Sequence, residues 1–66
     1  MITLNSILAV MREKSHVTIF KNGHVMFAGY VENVNAKFRH KFGGDKIVHM
    51  RALPDDHYMI QIVNAW

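Results

Sequence analysis

The chain has no cysteine and a single proline, Pro54, among 66 residues. Without cysteine there is neither a disulfide framework nor a thiolate metal site. Acids are scarce as well: five Asp and Glu face eight Lys and Arg, a formal charge of +3 with the five histidines counted neutral. That excess suits an acidic partner or nucleic acid and requires neither. The histidines would add positive charge below about pH 6.5. No apolar run approaches the roughly 18 residues needed to span a bilayer. The opening MITLNSILAVMREK lacks the basic n-region and small-residue cleavage site of a secretion signal. These absences point to a cytoplasmic chain that does not engage a membrane. No linker, repeat or low-complexity tract divides it, so residues 1–66 read as one small domain.

Half the residues are hydrophobic, which argues against disorder. A chain this short buries only about 60% of its unfolded surface. Small domains therefore add a staple, and with disulfides excluded the remaining options are a metal or oligomerisation. A homo-oligomer is a natural way to cover surplus apolar surface.

Four segments follow in order. Thr3 to Lys14 reads as a helix, with Leu4, Ile7, Leu8 and Met11 on one stripe and Thr3, Asn5 or Ser6 as the cap. His16 to Val31 carries two β-rich runs around Asn22-Gly23, the strongest short-range hairpin signal because both turn residues need φ > 0. A two-residue loop pairs Lys21 with His24, Ile19 with Met26 and Val17 with Ala28, leaving Thr18, Phe20, Val25 and Phe27 on the other face. Both faces are apolar, so the sheet either curls into a barrel or meets a second subunit. Gly29 beside Tyr30 offers a bend for that curl.

Glu32 to Gly44 reads as a short helix ended by Gly43-Gly44, with a basic loop or a continuing strand as the competing reading. Lys46 to Leu53 and Tyr58 to Val63 form a second hairpin around a three-residue loop, with Pro54 at the second position of a type I turn. Val48 then faces Ile62, Met50 faces Ile60 and Ala52 faces Tyr58. His49, Arg51, Met59, Gln61 and Val63 line the wetter side. A terminal Trp66 is costly to leave in water and should pack on a core or interface edge. The expected fold class is α+β: an N-terminal helix packed on a small, curved, antiparallel sheet of two hairpins, about four strands, closing toward a barrel.

No catalytic pattern emerges. The five histidines never form HExxH or a Cys-His set, and strand-edge histidines are usually solvated. Asp55-Asp56 is explained by the turn, and neighbours in a turn make a poor acid–base pair. Ser6 and Ser15 lack a motif partner, and Gly43-Gly44 lacks the Lys-Ser/Thr of a phosphate loop. Neither enzyme chemistry, cofactor nor metal is expected.

The sharpest binding candidate is Lys37-Phe38-Arg39-His40-Lys41-Phe42, extended by Arg51 where the faces agree. Alternating cations and aromatics can neutralise phosphates and stack bases, or dock an acidic protein. The plainer alternative is that Phe38 and Phe42 belong to the core and the charges to a solvated face.

The layout resembles a family of very small proteins from phages and prophages of Gram-positive bacteria. They share a TLxxLL-type helix, a strand and turn, an F-x-G-x-V strand, a variable segment, a V-x-x-I/M-x-A strand, a short acidic turn and a hydrophobic last strand. The matching residues are Thr3-Leu4 with Ile7-Leu8, Val17 to Phe20, Phe27 to Val31, Val48 to Ala52, Asp55-Asp56 and Tyr58 to Val63. The resemblance implies a mobile-element origin; with the spare hairpin face and the Lys37 to Phe42 segment, the expected function is a non-enzymatic interaction module in the host cytoplasm. Most family members have no assigned function, so no residue role carries over. Many are acidic, whereas this chain is basic through residues 37 to 51.

Overall fold

The structure, a computed structural model, describes residues 1–65; the expectation for Trp66 lies outside them. Its elements are α1 (Leu4–Leu8), β1 (His16–Lys21), β2 (His24–Tyr30), a 3₁₀ turn (Val31–Asn33), α2 (Ala36–Phe42), β3 (Lys46–Leu53) and β4 (His57–Val63). The α+β class and both hairpins agree with the sequence reading.

The sheet runs β2-β1-β4-β3. β1–β2 and β3–β4 are antiparallel hairpins, and β1 pairs with β4 in parallel. The sheet is therefore mixed, not antiparallel as expected. The 3₁₀ turn and α2 carry the chain across the sheet, so β3 starts an outer strand and β4 returns beside β1. Two fully buried runs, Val17 and Ile19 on β1 and Ile60 and Ile62 on β4, thereby become central neighbours. The sheet does not close into a barrel either: β2 and β3 are its two edges.

The helix predicted over Thr3 to Lys14 is only one turn and a little more. Its N-terminus is as expected: Thr3 Oγ1 accepts from Ser6 N–H (3.3 Å) and Ser6 Oγ accepts from Thr3 N–H (3.1 Å), a reciprocal cap. The stripe also serves its purpose, since Leu4 and Leu8 are buried and Ile7 and Met11 pack against the core. Residues beyond Leu8 instead build the approach to β1. There Ser15 is buried, its Oγ donates to Asp56 (2.8 Å), and Arg12 pairs with the same carboxylate (3.6 Å). Tertiary ties override a weak helical preference in so short a segment.

Each hairpin carries one β-bulge that the sequence did not announce. Asn22 and Gly23 have φ of 54° and 77° as their turn requires, and Lys21 pairs with His24. The register then slips, so that Ile19 faces Phe27 rather than Met26, and Val17 faces Gly29 rather than Ala28. One inserted residue moves Phe27 to the covered face, where its ring lies 5.7 Å from Phe38. Gly29 has φ of 157°, a value unusual for residues with a side chain. In the second hairpin Met50–Ile60, Ala52–Tyr58 and the three-residue loop are as expected, but Ile47 faces Ile62 and Val48 is extruded, half exposed. The turn is not type I, because Asp55 has φ of 65° where type I needs about −90°.

Both helices cover one face of the sheet. Leu4, Leu8, Val17, Ile19, Val31, Val34, Phe42, Ile60 and Ile62 form a single core. α1 is held against the end of α2 by Asn5 N–H donating to Gly43 O (2.9 Å). A methyl group at Gly43 would overlap the Asn5 amide and the Arg39 carbonyl, so glycine is needed there for close approach and not for a left-handed turn. Ile2 and Thr3 lie along the start of β3, through Ile47 N–H to Ile2 O (2.9 Å) and a bridge from Thr3 to Lys46.

Candidate interaction surface

The strand registers assign the other face residue by residue. Across it run the rows Tyr30–His16–His57–Leu53, Ala28–Thr18–Met59–Arg51, and Val25–Phe20–Gln61–His49, with Lys46 and Val63 paired at the end. Period-2 alternation explains the division: Val17 and Ile19 point into the core, so His16, Thr18 and Phe20 point away. On β4, Ile60 and Ile62 do the same for Met59, Gln61 and Val63. No helix lies over this side. Val25 is 56% exposed and Tyr30 48%, while Phe20, Met59 and Val63 are half-buried.

One corner of the face is more structured. The His16 and His57 rings meet edge to face at 4.4 Å between centroids, and Tyr30 meets His16 at 5.7 Å. Thr18 Oγ1 is hydrogen-bonded to His57 Nε2 (2.9 Å). These rings, with Lys14, Pro54 and Asp55, line a shallow cleft of about 280 Å³. His16 Nδ1 is buried and has no hydrogen-bond partner among the described residues. No cluster of three metal-ligating side chains occurs among the described residues. Linear spacing could not have revealed this corner, because the parallel β1–β4 pairing creates it.

The electrostatics are lopsided. Among the described residues three ion pairs form: Arg12–Asp56 (3.6 Å), Lys14–Glu32 (2.8 Å) and Lys21–Asp45 (2.6 Å). The Lys14 hydrogen bond to Glu32, with the attraction of that carboxylate, raises the Lys14 pKa above its ordinary 10.5. All three paired cations come from the first third of the chain. Among the described residues, Lys37, Arg39, Lys41, Lys46 and Arg51 stand without a carboxylate partner.

The basic-aromatic segment is a helix, as favoured from sequence. Asn35 Oδ1 caps it by accepting from Phe38 N–H (2.8 Å). Phe42 is in the core, and Phe38 packs against Phe27 and Phe42 (5.7 and 4.9 Å between ring centroids). Neither ring is therefore free to stack a base. Lys37, His40 and Lys41 point to solvent, while Arg39 Nε donates to Val34 O (3.2 Å). Arg51 pairs with Met59 on the bare face of the sheet, opposite the helices. The structure thus divides the predicted patch between two sides of the molecule.

No helix among the described residues is long and apolar enough to cross a membrane. Compared with known proteins, the chain matches no family model, no curated protein and no solved structure.

Proposed function

We propose that the chain is a non-enzymatic interaction module, cytoplasmic and of phage or other mobile-element origin, that docks on a protein partner or on itself through the bare face of its sheet. The origin and the location rest on the sequence resemblance alone. The observation that carries the docking reading is the one-sided cover: α1 and α2 seal one face, and among the described residues the other keeps Phe20, Val25, Tyr30, Met59 and Val63 without a covering layer. Antiparallel and mixed sheets that end in water usually turn polar side chains outward. A contiguous apolar patch rimmed by polar groups is the ordinary mark of an interaction site.

The test separates a working surface from a structural one. Val25→Thr with Met59→Thr should keep folding stability within about 0.5 kcal/mol, as expected for surface substitutions away from any packed feature. It should also lower retention on a hydrophobic matrix. A loss above about 2 kcal/mol would mean the face is part of the fold's own core, and the reading would fail. Light scattering at low and high salt then separates self-assembly from a monomer awaiting a partner.

A second reading has its own observation, the cations Lys37 and Lys41 on α2, without a carboxylate partner among the described residues. A small nucleic-acid-binding protein would show an affinity that falls steeply with salt and is lost in Lys37→Glu/Arg39→Glu/Lys41→Glu. Salt-independent or absent binding removes it.

A further inference from the structure

We propose that the bare face receives an acidic segment of a partner protein, anchored by apolar side chains at the centre and by carboxylates along β3. The inference rests on reading that face as the working surface and names the chemistry of its occupant.

Charge complementarity carries it. Every charged or titratable side chain that the register puts on the face is basic or neutral: His16, His57, His49, Arg51, Lys46 and Tyr30. No Asp or Glu joins them. Asp56, Glu32 and Asp45 are engaged by Arg12, Lys14 and Lys21; Glu13 lies in the loop before β1, and Asp55 only borders the cleft at the far corner. Arg51 and Lys46 stand on the edge strand beside the apolar centre, without a carboxylate partner among the described residues. A second copy of this chain would bring the same face with the same sign and nothing to pair with them.

The centre argues for protein over nucleic acid. It is mostly aliphatic: Val25, Met59 and Val63 surround Phe20. The rings of His16, His57 and Tyr30 lie edge to face at 75–77°, spending ring faces on one another rather than offering a stacking platform. Two permanent cations are also few for a phosphate track. Four strands about 4.8 Å apart, over about six residues of 3.3 Å rise, give a plane of roughly 400 Å². That is about half the area per partner of a standard interface, the footprint of a segment rather than a domain.

The experiment titrates the ¹⁵N-labelled full chain with two synthetic peptides, one alternating Glu with Leu and Val, the other carrying Lys for every Glu. An oligothymidylate of 15 nucleotides is a third probe, and sedimentation of the protein alone is run alongside. The acidic peptide should shift the amides of Phe20, Val25, Arg51, Met59 and Gln61 and leave α2 unmoved. In Lys46→Glu/Arg51→Glu, checked for an intact fold by its spectrum, preference should invert, the Lys peptide binding about tenfold better than the Glu peptide. Equal response to both peptides, or shifts at this face from the oligonucleotide alone, overturns the inference while leaving the face a binding surface. So does self-association abolished by Met59→Glu. If no probe shifts the face and the protein is monomeric, the inference and the underlying reading both fall.

Discussion

Neighbours on β4 meet opposite surroundings. Ile60 and Ile62 are fully buried in one cluster with Leu4 and Leu8 of α1 and Phe42 of α2, while Met59, Gln61 and Val63 alternate with them on the side that no helix among the described residues covers. β1 repeats the division, with Val17 and Ile19 against Thr18 and Phe20. The two faces are alike in carrying large apolar residues at their centres and differ in what lies above them. Along β1 and β4 alternation therefore decides which residues share a face; the chain's own helices decide which face is a core. In this molecule the helical material suffices for one side only.

The sharpest way to break that comparison is to truncate both members of an adjacent pair. Ile60→Ala opens a cavity at a site with no exposed surface and should cost about 2–5 kcal/mol. A domain this small holds only about 3–5 kcal/mol in all, so the variant should be largely unfolded at 25 °C by circular dichroism. Met59→Ala, one residue earlier, should cost under about 1 kcal/mol in urea denaturation. Similar losses for the two would mean that the bare face is packed in solution.

The next test moves to charge on the covered face. Lys21 and Asp45 have side chains only 14% and 13% exposed, and the ammonium also sits 5.1 Å from the Phe42 ring centroid. Asp45→Ala strands that ammonium against the core edge and should cost about 1–3 kcal/mol. Lys21→Met with Asp45→Leu should recover most of the loss, because an apolar pair of similar size often replaces a sequestered ion pair at little cost. Failure to recover would show that the pair also orders the Gly43–Lys46 connection.

These contrasts mark what was legible in the sequence. The Asn22-Gly23 turn, the cap at Thr3, the stripe of Leu4 and Leu8 and the helix at residues 36–42 were all readable, because each depends on residues within one or two turns of chain. The bulges were not. An inserted residue opposite Ile19 or near Ile47 has no local signature, yet it moves Phe27 inward and Val48 outward. The parallel β1–β4 pair was also out of reach, since it depends on how the crossover lies on the core. The candidate surface suffered most. Lys37 to Phe42 attracted notice as a run of cations and rings, but Phe38 and Phe42 are the anchors of α2, and Arg51 lies on the opposite side. The bare face was legible hairpin by hairpin, with Thr18, Phe20 and Val25 grouped on one side of the first and His49, Arg51, Met59, Gln61 and Val63 on the wetter side of the second. That the parallel β1–β4 pair joins the two groups into one surface was not legible. The His16–His57 contact had no signal at all.

A smaller effect is expected at the start of the chain, where the covered face gains its first helix. Thr3→Ala removes the acceptor for Ser6 N–H and should cost about 1 kcal/mol. The loss should appear as faster hydrogen exchange in residues 4–8 ahead of the sheet. Uniform acceleration across β1 and β4 would instead tie the cap to global unfolding.

The smallest effect belongs to the exposed counterpart of the Lys21 pair. Lys14 reaches Glu32 at 2.8 Å, but its side chain is 78% exposed, so solvent and salt screen the attraction. Lys14→Gln should leave the urea midpoint nearly unchanged at pH 7 and 0.15 M salt. What remains is a sign. The folded-state pKa is raised by Glu32 above 10.5, so the folded form holds the Lys14 proton more tightly than the unfolded chain. The contribution is fully present below the unfolded value and is lost as pH climbs from about 10.5 through the higher folded value. Wild type should therefore lose slightly more stability than Lys14→Gln between pH 9 and pH 11, with the gap narrowing at 1 M salt. A variant that instead falls further than wild type over that range would show that the folded form holds the Lys14 proton less tightly than the unfolded chain, and so that the Glu32 contact contributes nothing in solution.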